Sequence, residues 1–256
     1  MSIIFVKEVK KMRMKIEWKT EKFPRYYNVL GVSLIKEAIK KSSQDYYEKL
    51  YFYKDKSNKA SKNFTYSFYI KGYEIDDDDF IVKDRVVMYI STPDLELGLH
   101  IYNGIINKNI IKYKNYEMTR LRVDLIKESN IFGEEAVFNT LSPVCIKDNS
   151  GKFLNFSHEN YTKELNYIVD TVLKNYRGYG VKRNIEFENI DLKKVVVKEP
   201  FREFKKVTKR EYQCVNSFKG RFILRGDNED LNDIYKLGLG FKRSQGFGNL
   251  EVVNGR

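Results

Sequence analysis

The sequence contains few cysteines, and the two that it has are isolated. Cys145 and Cys214 belong to no Cys-x-x-Cys pair and to no cluster of cysteine and histidine. Because zinc sites need such clusters, the sequence predicts no zinc site. Unpaired thiols are typical of proteins in the reducing cytoplasm. We therefore predict a cytoplasmic protein whose cysteines are reduced.

Long apolar segments are also absent. No run of about eighteen apolar residues occurs, so the sequence predicts no membrane-spanning helix. The segment Ile3-Ile4-Phe5-Val6 is too short for the apolar core of a signal peptide, and lysines follow it instead of a cleavage site of small residues. We expect no membrane partner.

Acidic residues do not form a pattern typical of a metal site. The run from Asp76 to Asp79 lies between two strand-like segments, so it predicts a turn and not a Mg²⁺ site. No paired acidic motif with metal-ligand spacing occurs elsewhere in the sequence. The sequence therefore predicts no cofactor and no metal, and we expect any chemistry to be metal-independent.

Positive charge, in contrast, is abundant. The 256 residues include 47 Lys+Arg against 35 Asp+Glu, which gives a formal net charge of +12. This excess favours a polyanionic partner, and by itself it fits a nucleic acid or an acidic membrane surface. A hydrophobic content of 42% and an aromatic content of 14% supply a core and argue against wholesale disorder. The length fits one large domain or two of about a hundred residues each.

Hydrophobic periodicity predicts an α+β protein. The first half is predicted to contain a strand at 12–18, helices at 29–41 and 44–53, strands at 64–70 and 84–91, a helix at 93–107, and strands at 110–126 and 136–146. The order strand, helix, two strands, helix, strand is that of a ferredoxin-like βαββαβ unit. The polar cluster 148–152 predicts a domain boundary, with domains at 1–147 and 148–256.

The second half is predicted to repeat this unit. It is expected to contain a helix at 159–176, two or three strands within 185–207 and 212–224, a helix at 228–236 and a final strand at 249–253. Between the last helix and the last strand lies the glycine-rich segment 238–248, in which two Gly-x-Gly pairs flank a five-residue insert. Glycine permits positive φ and lets another backbone approach closely, so we predict a loop that lies against another surface. The segment lacks the strand and helix order of a dinucleotide-binding fingerprint and the Gly-Lys-Ser/Thr ending of a P-loop.

The glycine-rich loop resembles the C-terminal loop of the repeat-associated RNA-binding (RAMP) superfamily. Val137-Phe138-Asn139-Thr140-Leu141-Ser142-Pro143-Val144 resembles the Phe-x-Thr-Leu-Ser-Pro strand that closes the first domain of one member family, and Asn63-Phe64-Thr65-Tyr66-Ser67 resembles its aromatic Phe-Thr-Phe-Ser strand. That family is the CRISPR-associated repeat-processing endoribonucleases, the sixth Cas family. The resemblance spans residues 12 to 253 and implies two tandem ferredoxin-like domains with a C-terminal glycine-rich loop.

The resemblance also implies an activity. Members of the family bind CRISPR repeat RNA and cut precursor crRNA through attack by a ribose 2′-hydroxyl on the adjacent phosphate. The products then carry a 2′,3′-cyclic phosphate or 3′-phosphate and a 5′-hydroxyl. A non-catalytic subunit that holds repeat RNA within a surveillance complex is the alternative, and a basic scaffold without an RNA role is a third hypothesis. Besides RNA, the partners left open are other Cas proteins and a second copy of the chain.

The family's usual catalytic histidine is missing from this sequence. Leu50-Tyr51 stands where the family carries Leu-His, and the two histidines, His100 and His158, lie on other predicted helices. We expect both histidines to have structural or surface roles. The predicted catalytic residues are Tyr51, Lys49, Lys54 and Lys56, because lysine can stabilise transition-state charge without pKa tuning. The competing interpretation is a surface helix whose tyrosines pack on a neighbouring strand.

Two segments are predicted to bind RNA. In the glycine-rich loop, cations are expected to reach phosphates and polar side chains to reach base or sugar edges. The predicted residues there are Gly238, Gly240, Lys242, Arg243, Ser244, Gln245, Gly246 and Gly248. The second segment reads as a basic hairpin with interleaved phenylalanines, and its residues are Arg202, Lys205, Lys206, Lys209 and Arg210. Such charge supplies salt-dependent affinity for the phosphate backbone. A solvated cationic face is the simpler reading of the hairpin.

Overall fold

The computed structural model describes residues 12–54, 56–58, 60–200 and 212–253. The elements of its first half are β1 (Met12–Lys19), β2 (Lys22–Pro24), α1 (Tyr27–Ser42), α2 (Gln44–Tyr51), β3 (Phe52–Tyr53), β4 (Lys56–Ser57), β5 (Thr65–Asp76), β6 (Asp79–Thr92), α3 (Leu95–Ile106), β7 (Ile110–Tyr113) and β8 (Tyr116–Leu125). Four long strands form an antiparallel sheet in the order β5-β6-β1-β8, and β2 and β7 extend it. Helices α1 and α3 contact each other. This is the predicted ferredoxin-like unit.

The second half repeats the arrangement. Its elements are β9 (Glu135–Thr140), α4 (Tyr161–Arg177), β10 (Glu186–Asn189), β11 (Lys193–Pro200), β12 (Tyr212–Lys219), β13 (Arg221–Arg225), α5 (Asn228–Leu237) and β14 (Leu250–Val252). The sheet order β10-β13-β9-β14 matches that of the first unit when the four strands are numbered along the chain. Strands β11 and β12 pair with each other and form a hairpin inserted in the chain between β10 and β13. The prediction of two ferredoxin-like units is confirmed.

The position of one strand differs from the prediction. The strand expected to close the first unit corresponds to β9, which pairs with β13 and β14 in the second sheet. Phe138 of this strand is fully buried in the core of the second unit and stacks on Phe222 at 5.8 Å between ring centroids. Strand β9 is therefore the first strand of the second unit. The predicted domain bounds, 1–147 and 148–256, stay a prediction.

Each unit has its own hydrophobic core. In the first, Met14, Ile16 and Trp18 of β1 are fully buried beneath α1 and α3. On the opposite face of β1, Arg13 and Glu17 are buried as well. The reason for Arg13 is a contact with the second unit, described below. Within the described residues, no helix is both long and apolar enough to cross a membrane.

Candidate functional site

The glycine-rich loop, Gly238 to Gly248, is held against the rest of the second unit by backbone hydrogen bonds. The Leu239 amide donates to the Gly248 carbonyl at 2.9 Å, and the Gly248 amide donates to the Pro143 carbonyl at 2.8 Å. The four glycines of the two pairs have φ values between +71° and +85°. A Cβ at Gly248 would overlap the Leu239 carbonyl, and one at Gly240 would overlap the Cys145 carbonyl. Glycine is therefore required here for both its φ range and its size.

The three segments on which the resemblance was based meet at this loop. From the second unit, the Ser142 hydroxyl accepts a hydrogen bond from the Asn249 amide at 2.9 Å. From the first unit, the Thr65 hydroxyl donates to the Phe247 carbonyl at 2.8 Å, and Asn249 Nδ2 donates to the Ser67 hydroxyl at 3.1 Å. The residues of these segments therefore join the two units around the glycine-rich loop.

A cleft of about 500 Å³ lies between the glycine-rich loop and the segment that follows α2. The first unit lines it with Lys36, Tyr51 and Lys62, and the loop lines it with Lys242, Arg243, Ser244 and Gln245. The Tyr51 ring lies between two ammonium groups, with Lys36 Nζ 4.7 Å and Lys62 Nζ 5.6 Å from its centroid. The cleft thus combines cations with one phenol, which suits a phosphate-containing ligand.

Lys62 is the most unusual cation of the cleft. Its side chain is buried, and its ammonium donates to the carbonyls of Asn58 at 3.1 Å and Ala60 at 3.0 Å. Burial, together with the nearby charge of Lys36, lowers the pKa of Lys62. Lys62 is therefore a stronger acid than a solvated lysine. Burial also raises the pKa of Tyr51 well above its ordinary value, so the Tyr51 phenol stays protonated and acts as a hydrogen-bond donor.

The two cations of the glycine-rich loop differ from each other. The Arg243 side chain is buried, and its guanidinium donates to the Leu237 carbonyl at 2.7 Å and the Ser61 hydroxyl at 2.6 Å. Burial lowers the pKa of Arg243 to about 10, so it remains cationic at neutral pH. The Lys242 ammonium donates to Glu199 Oε2 and to Gln245 Oε1, both at 2.7 Å. Arg243 therefore ties the loop to the first unit, whereas Lys242 faces the cleft with an acidic partner.

A second and larger groove, of about 910 Å³, runs between the two sheets. Its lining combines four cations, two carboxylates and the rings of two tyrosines: Arg13, Lys15, Lys127, Lys219, Asp124, Glu251, Tyr69 and Tyr89. Arg13 donates through Nη2 to Asn249 Oδ1 at 3.3 Å and to the Leu250 carbonyl, while its buried Nη1 has no hydrogen-bond partner. This groove pairs positive charge with aromatic rings, which is typical of surfaces that bind single-stranded nucleic acid.

Comparisons with known proteins agree with this architecture. Residues 126–252 match the model of the family described as CRISPR associated protein Cas6, C-terminal. The chain belongs to the Cas6 family. The matched span begins directly after β8 and ends at the last residue of β14, so it contains the whole second sheet of this Cas6 chain. No curated protein matches the chain by sequence.

Solved structures share the fold of this Cas6 chain at low sequence identity. One, described as a Cas6-related gene from Pyrococcus furiosus, has a TM-score of 0.78 at 20% identity and covers 96% of this chain and 100% of that chain. Another, described as a RAMP protein binding different RNA substrates, has a TM-score of 0.76 at 20% identity over 95% and 100% of the two chains. A third, described as a Cas6 product complex, has a TM-score of 0.68 at 14% identity over 95% and 100%. These likenesses establish the tandem ferredoxin-like fold.

The structure brings together only some of the predicted catalytic residues of this Cas6 chain. Tyr51 lines the cleft, whereas Lys49, Lys54 and Lys56 are exposed and lie outside its lining. Lys54 instead places its ammonium 5.5 Å from the Tyr53 ring in the β3–β4 turn. Sequence reasoning missed Lys62 and Lys36. The available signal for Lys62 was its position directly before the Asn63-Phe64-Thr65 segment.

The predicted RNA-binding residues fall into two groups. Those of the glycine-rich loop are described, and Lys242, Ser244 and Gln245 face the cleft, whereas Arg243 is engaged inside the protein. The predicted basic hairpin residues, Arg202, Lys205, Lys206, Lys209 and Arg210, lie outside the described residues. The strands on either side of them, β11 and β12, pair as a hairpin.

The two histidines have local partners away from the cleft. His100 Nδ1 lies 3.0 Å from the Ser42 hydroxyl, and its ring packs against Tyr46 in a tilted arrangement with 4.2 Å between centroids. His158 Nδ1 accepts a hydrogen bond from the Asn160 amide at 3.2 Å, at the start of α4. Neither histidine belongs to the lining of the cleft.

Proposed function

We propose that this Cas6 chain is a metal-independent endoribonuclease that binds CRISPR repeat RNA and cleaves precursor crRNA through 2′-hydroxyl attack. The observation that carries the proposal is the cleft in which Tyr51 lies between Lys36 and Lys62 and faces the glycine-rich loop. Two similar solved structures, one described as a RAMP protein binding different RNA substrates and one as a Cas6 product complex, support the same substrate class. The groove between the sheets provides a second surface for the RNA strand, and its cations are Arg13, Lys15, Lys127 and Lys219.

In this mechanism the ribose 2′-oxygen forms a bond to phosphorus while the bond from phosphorus to the 5′-oxygen breaks. The 2′-hydroxyl proton passes to solvent, and the Lys62 ammonium, made more acidic by burial, gives its proton to the leaving 5′-oxygen. Lys36 stabilises the negative charge that develops on the phosphorane. Tyr51 remains protonated and orients the ribose or phosphate by donating a hydrogen bond.

The predicted residues Lys49, Lys54 and Lys56 enter this proposal as contacts to RNA outside the cleft. All three are exposed on α2 or on the β3–β4 hairpin, close in sequence to Tyr51. Exposed lysines at such positions neutralise phosphates without taking part in bond breaking. Their removal is expected to weaken binding and leave the chemical step intact.

A non-catalytic repeat-binding subunit is the second candidate. It is favoured by the placement of His100 and His158 away from the cleft, which leaves the described cleft without an imidazole. Under this hypothesis the basic surfaces bind repeat RNA and the RNA is not cut.

Cleavage of labelled repeat RNA in EDTA tests the proposal. A panel of structured and unstructured CRISPR repeat RNAs is incubated with the protein, and the products are identified by mass spectrometry. We expect an upstream fragment that ends in a 2′,3′-cyclic phosphate or 3′-phosphate, and no cut when the scissile ribose is 2′-deoxy. Binding without cutting supports the second candidate, and strict dependence on added Mg²⁺ or Mn²⁺ contradicts the proposed mechanism.

A further inference from the structure

Glu199 is a buried carboxylate placed against the RNA-facing side of the glycine-rich loop. It lies near the end of β11, and its side chain is about 10% exposed. Its Oε2 accepts the hydrogen bond from Lys242 Nζ at 2.7 Å. Lys242 has the left-handed backbone conformation, with φ of +59°, so its side chain leaves the loop at a fixed position. The hairpin and the loop are thus joined by an ion pair at the edge of the cleft.

This pair affects how the loop can bind phosphate. Arg243 is already engaged by Leu237 and Ser61, so Lys242 is the loop cation that faces the cleft. Its ammonium is neutralised by the chain itself, at the distance that a phosphate oxygen would occupy in a charge-assisted hydrogen bond. A phosphate must therefore displace a carboxylate and not only water.

We propose that Glu199 is a specificity-determining residue that competes with RNA phosphate for Lys242, an inference that rests on the proposed RNA-binding function. When RNA displaces it, the carboxylate loses its partner while still largely buried, which is unfavourable. The loop then engages only RNA that makes enough other contacts in the cleft. Weakly bound polyanions do not displace Glu199 from Lys242.

The competition has a measurable consequence for the salt dependence of binding. In the parent protein, a phosphate that binds Lys242 displaces the Glu199 carboxylate, which must then pair with a cation from solution. The ion released from the phosphate is therefore offset by the ion that Glu199 takes up. In Glu199→Gln, the freed lysine neutralises a phosphate with no such offset. For single-stranded RNA the slope of log K against log salt should then steepen by about 0.7. If the extra contact vanishes at 1 M salt, this corresponds to roughly fivefold tighter binding at 0.1 M.

The test uses fluorescence anisotropy of the labelled repeat RNA and of an oligouridine of the same length over a range of salt concentrations. Glu199→Gln should tighten binding of both, and the relative gain should be larger for oligouridine. Glu117→Gln is the charge-matched control, because Glu117 lies outside the lining of the cleft and pairs with Lys112 at 3.0 Å on the β7–β8 hairpin of the first unit. In Glu199→Gln with Lys242→Ala the gain should disappear.

The outcomes separate this inference from the proposed function. If the parent protein binds RNA and Glu199→Gln has the same slope, or binds more weakly while its unfolding midpoint is preserved, Glu199 does not compete with phosphate. A gain that persists without Lys242, or that Glu117→Gln reproduces, also overturns the inference. If no form of the protein binds any RNA of the panel, the proposed function fails as well.

Discussion

At the scale of single residues, the contrast between buried and exposed lysines decides where the chemistry is placed. Lys62 is buried with two carbonyl acceptors and a lowered pKa, whereas Lys49, Lys54 and Lys56 are solvated. Desolvation disfavours the charged form of a lysine and so makes its ammonium group a stronger acid. The chemical step should therefore depend on Lys62 and not on its exposed neighbours.

The first prediction follows from this contrast. Lys62→Met should slow single-turnover cleavage at saturating protein by roughly a hundred- to ten-thousandfold, since a general acid is lost. Lys36→Met and Tyr51→Phe should slow the same step by about a hundredfold through lost stabilisation of the transition state. Lys56→Met is the matched control and should affect only the affinity for RNA. A normal rate in Lys62→Met, with a slow Lys56→Met, would restore the exposed lysines as catalytic residues.

The pH dependence of cleavage tests the role of Lys62 in a second way. An acid must be protonated to act, so the rate should fall as pH rises through the pKa of Lys62. Because burial lowers that pKa, the fall should begin below the value of about 10.4 expected for a solvated lysine. Lys62→Arg keeps the charge but does not titrate in this range, so its residual rate should not show the alkaline fall. The measurement is a single-turnover pH–rate profile for both proteins, and an identical alkaline limb in the two would exclude Lys62 as the acid.

Lys242 and Arg243 are adjacent in sequence, but their substitution should have different effects. Arg243→Met leaves the buried Leu237 carbonyl without its donor and removes the hydrogen bond to Ser61 of the first unit, which should lower the free energy of unfolding by about 2–4 kcal/mol. Lys242→Met combined with Glu199→Gln removes the neighbouring ion pair without leaving a buried carboxylate unpaired, and should change it by less than about 1.5 kcal/mol. Urea unfolding of the two variants checks this prediction. Equal losses of stability would mean that the Arg243 contacts do not hold the loop.

The residues that line the cleft were only partly predictable from the sequence. Tyr51 was named because a neighbouring motif fixed its position relative to the family pattern, and it lines the cleft. Lys62 was missed because nothing in a sequence distinguishes a lysine enclosed by its own loop carbonyls from a solvated one. Arg243 was predicted to contact phosphate for the same reason, since its engagement depends on Ser61, 182 residues away.

At the scale of elements, the glycine-rich loop shows which parts of a pattern are structural. Gly248 and Gly151 share a positive φ, +71° and +81°, but a Cβ at Gly248 would overlap the Leu239 carbonyl while one at Gly151 would meet nothing within 4 Å. Gly151→Ala should therefore destabilise the protein only by the left-handed backbone term, about 1–2 kcal/mol. Gly248→Ala should have the larger effect, because the overlapping carbonyl cannot move freely.

The measurement is the urea unfolding midpoint of both glycine variants. We expect Gly248→Ala to lose at least about 3 kcal/mol, the sum of the backbone conformation and the steric overlap. The comparison with Gly151→Ala isolates the overlap, because both positions have left-handed φ. If the two variants lose the same stability, the close approach between Gly248 and Leu239 is not important for the fold.

Strand β9 shows that a local sequence pattern predicts a strand but not its pairing partners. Alternation predicted a strand at the position of β9, and that strand exists. Its partners, β13 and β14, lie far along the chain, so their choice depends on how the two sheets close and not on the local pattern. For this reason the element was predicted correctly and its unit was not.

At the scale of the whole molecule, the two ferredoxin-like units are joined by buried polar contacts that converge on residues 247–250. Thr65 and Ser67 of β5 contact Phe247 and Asn249, and Arg13 of β1 donates to Asn249 and Leu250. Arg13 also lies 4.8 Å over the Tyr235 ring of α5. Buried polar contacts of this kind specify one arrangement of the two units, because any other would leave them unpaired. They also place Tyr51 of the first unit opposite the glycine-rich loop of the second.

This coupling predicts how the protein unfolds. Trp18 is the single tryptophan and is fully buried in the first unit, so its fluorescence reports on that unit, while far-UV circular dichroism reports on both. In the parent protein the two signals should change together in urea. Arg13→Met should lower the midpoint by an amount equivalent to about 3–5 kcal/mol, because Asn249 and the Leu250 carbonyl lose their buried cationic donor, and the two transitions should separate. Arg122→Met is the control, since its exposed pair with Asp124 lies within the first unit. Transitions that stay coincident in Arg13→Met would show that Thr65 and Ser67 are sufficient to hold the two units together.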